Sequence, residues 1–171
     1  MLDLQNPQII QINALPPHAW FIPYEDPKFP IPDLPCDSPR VINLNGTWCF
    51  RFFGSHFSLP KELNTRALKL EAPQEIQVPN CWECEGFGTP QYLNISYPFP
   101  VDPPFIPLKN PTGVYQKSFI LPDDCQDKEI ILAFLGVSSA FEVYLNGQFI
   151  GGSKGSHLPS EFILTPHLNY K

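Results

Sequence analysis

An all-β fold, a β-sandwich or jelly roll, is what this sequence predicts, and three observations carry the prediction. Apolar residues recur with period two over several short segments. An Asn-Gly pair, Asn146-Gly147, separates two of those segments. The 22 prolines and 10 glycines, about a fifth of the 171 residues, punctuate the chain too often for long helices, yet fall short of the roughly 25–30% that marks low complexity.

Residues 1–40 form a proline-rich arm. Prolines at 7, 16, 17, 23, 27, 30, 32, 35 and 39 oppose helix and central-strand pairing, so an extended course is expected. The arm's apolar residues, among them Ile9, Ile10, Ile12, Trp20, Phe21, Phe29 and Ile31, are too many for a free linker. The arm is expected to pack on this domain or on a neighbouring subunit.

The remainder, 41–171, reads as one β-rich domain. Trp48, Phe50 and Phe52 alternate onto one face of a strand, and Glu75–Val78 gives another. A strand is expected over Gly113–Leu121, with Tyr115, Phe119 and Leu121 on one face, and another over Ile130–Leu135, which is apolar throughout. Ala140–Leu145 and Gln148–Ile150 flank Asn146-Gly147, the pair that tolerates the two positive φ angles of a type I′ hairpin turn. Phe162-Ile163-Leu164 supplies a last short strand.

The formal net charge is −6, and Lys and Arg are scattered without a basic stripe. Nucleic acid is therefore not an expected partner. Nor is a membrane: no apolar run approaches the roughly 20 residues that span a bilayer, and the first residues lack a basic stretch followed by an apolar one. These features predict a cytoplasmic protein. Five cysteines, Cys36, Cys49, Cys81, Cys84 and Cys125, make an odd count in a chain long enough to fold without staples, which favours reduced thiols.

Two stretches go beyond architecture. The first runs Cys81-Trp82-Glu83-Cys84-Glu85-Gly86-Phe87-Gly88-Thr89-Pro90-Gln91-Tyr92-Leu93-Asn94-Ile95-Ser96, then Tyr97-Pro98-Phe99-Pro100-Val101-Asp102-Pro103-Pro104-Phe105. The second runs from Ser139 through Asn146-Gly147 to Gly155-Ser156-His157-Leu158-Pro159-Ser160-Glu161-Phe162 and Leu164-Thr165-Pro166. Asn110-Pro111-Thr112-Gly113-Val114-Tyr115 lies between them, and Leu44-Asn45-Gly46-Thr47-Trp48 upstream. Together, in this order over about 40–166, they resemble the N-terminal sugar-binding jelly roll of glycoside hydrolase family 2 β-galactosidases.

That resemblance implies a galactose-binding-like β-sandwich belonging to a larger retaining enzyme that removes terminal β-D-galactose from β-galactosides such as lactose. A retaining mechanism uses two carboxyl groups about 5–5.5 Å apart. In the family both are glutamates of a separate TIM barrel, so no catalytic residue is expected in this chain, and the chain alone is expected to be inactive. The resemblance further implies that Asn94, in Tyr92-Leu93-Asn94, contacts a galactose hydroxyl; an amide both donates and accepts, as sugar hydroxyls do. The family's Mg and Na ligands lie outside this stretch, so no cofactor or metal ligand is expected here. The partners implied are the β-galactoside substrate and the remaining domains of the polypeptide. The family's jelly roll continues beyond Asn169-Tyr170-Lys171, so truncation before the last strands is expected, with unpaired edges that favour self-association.

Plainer readings stand beside these. Cys81-Trp82-Glu83-Cys84 has the spacing of a redox pair or half a zinc site, but no second Cys/His pair and no βαβ setting accompanies it, which favours two thiols in a loop. Glu83 with Glu85, and Asp123 with Asp124, lie in turn-rich segments and are expected to be solvated. The four histidines are far apart, and nothing suggests a triad. Trp48 and Trp82 fit the core better than a sugar-stacking role, and without the resemblance Asn94 reads as a cap of its own loop around Tyr97-Pro98. A free-standing lectin-like module, or an assembly element using arm and open edge, are the competing functions.

Overall fold

In a computed structural model the described residues are 2–24, 38–60 and 70–168. Phe29, Ile31, Cys36 and Asn169-Tyr170-Lys171, singled out above, lie outside them. Among the described residues eight strands form: β1 (Gln11–Ile12), β2 (Gly46–Phe53), β3 (Gln74–Val78), β4 (Thr112–Gln116), β5 (Ile131–Phe134), β6 (Ala140–Leu145), β7 (Gln148–Lys154) and β8 (Ser160–Ile163). Helical structure among the described residues is confined to short 3-10 turns, as the proline content requires.

All pairings are antiparallel, in three sheets ordered β1-β7-β6, β3-β2-β4 and β5-β8. The hairpin forms where expected: Asn146 has φ 51° and Gly147 φ 78°, the two left-handed positions of the tight turn. Val143, Ile150, Phe162 and Leu164 make the buried centre against which Phe119, Leu132, Phe134 and Phe141 pack. A second, aromatic cluster forms on β2, where Phe50 is fully buried and Trp48 and Phe52 share its face.

Several boundaries differ from expectation. The strand expected to run to Leu121 ends at Gln116. Just beyond it the Lys117 ammonium donates to the carbonyls of Asn45 and Thr47 and lies 5.6 Å from the centre of the Trp48 ring. Phe119 then joins the hairpin's core, leaving Tyr115 with the aromatic cluster. The strand after the turn runs to Lys154 and not only to Ile150, through Gly151 and Gly152.

Those glycines seat the arm. Gln11 pairs with Ser153 and Ile12 with Gly152. A Cβ on Gly151 would stand 2.5 Å from the Ile12 carbonyl oxygen, and one on Gly152 2.8 Å from that of Phe141. The pairing segment falls in the proline-free window between Pro7 and Pro16, so β1 loses no donor to proline. The arm is tied further by Asn13 Nδ2 donating to the Ile150 carbonyl (2.9 Å), Leu15 N–H to the Glu161 carbonyl (2.8 Å) and Lys154 Nζ to the Asn6 carbonyl (2.9 Å). Glu142 accepts from the Leu2 N–H and from the Tyr144 hydroxyl. Burial, then this bond to a carboxylate and its charge, holds the Tyr144 phenol well above its usual range.

Candidate functional site

The long loop between β3 and β4 carries the motif residues, and its two ends are fixed by different means. At the first end the Asn80 side chain accepts from the Cys81 N–H (2.8 Å) and donates to Glu85, setting the 3-10 turn Trp82–Glu85. Gly86, at φ 86°, ends it in the left-handed region that favours glycine. The Phe87 N–H then returns to the Trp82 carbonyl (3.0 Å). This places Trp82 edge-on to Phe52 (ring centroids 5.8 Å, 81°) and Phe87 edge-on to Phe50 (4.8 Å, 65°).

Gly113 of β4 is the floor of this cluster. A Cβ there would lie 2.6 Å from Phe50 Cε2 and 2.7 Å from Trp82 Cζ3. Tyr115 completes it at 4.7 Å from the Phe50 ring; burial, with the charges of Glu83 and Cys81 nearby, pushes its phenol up to about 12.

At the other end the His56 N–H donates to the Asn110 carbonyl (2.7 Å) and Ser55 Oγ to the Leu108 carbonyl (2.6 Å). Between these pins the chain carries no strand or helix. A turn closes where the Phe105 N–H meets the Asp102 carbonyl (2.9 Å), and the Tyr97 and Phe99 rings lie 5.9 Å apart. Tyr92, Leu93, Ile95, Tyr97, Val101 and Phe105 are exposed, Ile95 by 92%. Asn94 sits at a bend, exposed, and its amide has no hydrogen-bond partner among the described residues. It does not cap the backbone around Tyr97-Pro98.

The other candidates remain apart. Trp48 donates through Nε1 to the Leu44 carbonyl (2.8 Å) under the Lys117 ammonium, and Trp82 is half-buried in the aromatic cluster. Asp124 is held below the usual carboxylate range by its bonds with Lys128 and Arg40. His18 bonds to Glu161 and His167 to Gln148. Among the described residues no three His, Cys, Asp or Glu side chains gather where a metal could be held, and no helix is long and apolar enough to cross a membrane. The pins Ser55 and His56 carried no sequence signal beyond turn-forming chemistry. Gly113 did stand in a quoted motif, but its need for bare space is a tertiary property.

Residues 41–170 match the family described as "Glycosyl hydrolases family 2, sugar binding domain". The chain belongs to this family. Among curated relatives, the β-galactosidase of Yersinia enterocolitica is 40% identical over 169 residues, which is 97% of this chain and 16% of that protein. That of Yersinia pestis bv. Antiqua (strain Angola) is 40% identical over 167 residues, again 97% and 16%. The chain thus spans about a sixth of the length of these family members. Among solved structures, the Bifidobacterium dentium β-glucuronidase complexed with coumarin-3-O-glucuronide has TM-score 0.54 at 29% identity, covering 75% of this chain and 18% of that one. The β-glucuronidase of an uncultured Clostridium gives 0.51 at 26%, covering 74% and 19%. The jelly-roll sandwich is therefore the family's fold, and the loop of Asn94 lies within the matched domain.

Proposed function

We propose that the chain is the N-terminal sugar-binding domain of a β-galactosidase acting on terminal β-D-galactosides, and that its β3–β4 loop presents Asn94 to a galactose hydroxyl. The reading is carried by the 40% identity to β-galactosidases over nearly the whole chain. It is supported by the loop itself, fixed at both ends and exposed between, with an amide at its bend that has no partner among the described residues. In this reading the domain binds and orients; bond cleavage belongs to a carboxyl pair elsewhere in the polypeptide. The other domains of that polypeptide are the partners the exposed loop would face.

The experiment is Asn94→Ala in the full-length enzyme. Loss of one neutral hydrogen bond costs about 0.5–1.5 kcal/mol, and more where the bond tightens in the transition state. kcat/KM should then fall about tenfold with Tm unchanged. Unchanged kinetics together with a Tm lowered by several degrees would return Asn94 to a structural role. The lectin-like alternative requires micromolar binding of galactose or lactose by the 171-residue chain in calorimetry.

A further inference from the structure

We infer that Cys81 and Cys84 are a dithiol that closes reversibly into an intramolecular disulfide, making the root of the β3–β4 loop a redox-responsive modification site. Their spacing alone assigns the pair no chemistry, but the structure supplies what the spacing lacks. The Cys84 N–H donates to the Cys81 carbonyl at 3.0 Å. That bond closes a four-residue turn, whose ends lie within about 7 Å of each other, a span that overlaps the roughly 4.4–6.8 Å between Cα atoms of disulfides. Cys81 is the N-cap of the 3-10 turn and Cys84 lies within it. Both thiols are free and exposed, so a small disulfide can reach either.

The rest of the turn holds this geometry from both sides. Asn80 fixes its first N–H and its last carboxylate, and Gly86 ends it. Trp82, between the two cysteines, is wedged over Gly113 against Phe50 and Phe52. The backbone between the sulfurs is thus anchored in the core while the thiols remain in solvent. Neither the neighbouring acidic side chains nor any bound metal is needed for the reaction.

The oxidant is a small-molecule disulfide such as oxidised glutathione. One cysteine, as thiolate, attacks a glutathione sulfur, forming a mixed disulfide and expelling one glutathione thiolate. The second cysteine loses its proton, attacks the protein-side sulfur and expels the other glutathione thiolate. Two protein thiols give up two electrons and two protons, and one glutathione disulfide takes them up as two thiols. The second step is intramolecular and therefore outruns capture of another glutathione.

The 171-residue chain is equilibrated at stepped ratios of oxidised to reduced glutathione, alkylated and digested with trypsin. Residues 70–108 contain no Lys or Arg, so both cysteines leave in the 70–109 peptide, separate from Cys36, Cys49 and Cys125. The expected result is a peptide two hydrogens lighter, unalkylated, and restored by reductant. Under the same ratios Cys81→Ser and Cys84→Ser should stop at the glutathione mixed disulfide on the remaining cysteine. The proposal is overturned if the wild-type peptide stays alkylated at both positions or carries glutathione at both. Cross-linking of either cysteine to Cys36, Cys49 or Cys125, or to a second chain, overturns it equally.

Discussion

Phe50 and Phe162 on the strands and Tyr92, Tyr97 and Phe105 on the β3–β4 loop are chemically alike and have opposite fates, while Trp82 and Phe87 at the loop's root pack with Phe50. Phe50 and Phe162 are fully buried, each ringed by other aromatics at 4.7–6.3 Å. Tyr92, Tyr97 and Phe105 stand in solvent. The difference lies in the backbone. A ladder fixes alternation and so commits every second side chain to one face, whereas prolines at 90, 98, 100, 103, 104 and 107 deny the loop a ladder. Period, not apolar content, reports burial here.

Substitutions can break that contrast. The largest effect is expected from Phe162→Ala, which empties the space between Phe134, Phe141 and Gly151. Such a cavity costs about 3–5 kcal/mol, a large share of the roughly 5–15 kcal/mol that holds a domain folded. Urea denaturation should show the midpoint collapse. Gly113→Ala should follow at about 1–3 kcal/mol, because the new methyl meets Phe50 and Trp82 well inside contact distance. If Gly113→Ala unfolds at the wild-type midpoint, the aromatic cluster is looser than described.

A smaller effect concerns the arm. His18 is raised above its ordinary value by its bond to the Ala19 carbonyl and then by Glu161. A raised folded-state pKa means the stabilisation is complete below about 6.5 and fades as pH climbs through the raised value. His18→Gln should remove that slope from a midpoint-against-pH curve, and added salt should flatten it in the wild type, since the ring is exposed. The smallest effect is expected of Ile95→Ala, within about 0.5 kcal/mol, since Ile95 is 92% exposed. A Tm loss of several degrees there would mean that the loop, too, is part of the core.

Local chemistry made the hairpin legible in the sequence. Asn146-Gly147 states its own backbone angles, and the alternation on either side states which face is buried. The Trp48, Phe50, Phe52 face was equally readable. What escaped were features set by distant segments. The strand after the turn passes Ile150 because β6 pairs along it to Lys154 and the arm pairs at Gly152 and Ser153, whereas isolated glycines ordinarily argue against a strand. Phe119 continues the alternation of Tyr115 on paper, yet it packs in the other core, because the ladder that would carry the alternation ends at Gln116. For the loop, motif likeness singled out Asn94, but its exposure and its missing partner are facts of folded geometry.

The pairing of β1 with β7 also orders events in time. Asn13 and its acceptor Ile150 are 137 positions apart, so the arm is synthesised well before the groove it docks into. The hairpin needs only its own turn and can form as soon as it emerges, while closing so long a loop adds an entropic cost that local contacts do not carry. Until Gly151 and Gly152 have been synthesised and laid flat, Ile9, Ile10 and Ile12 have nowhere in this sheet to go. A nascent chain therefore carries these isoleucines unhoused until the hairpin has been made.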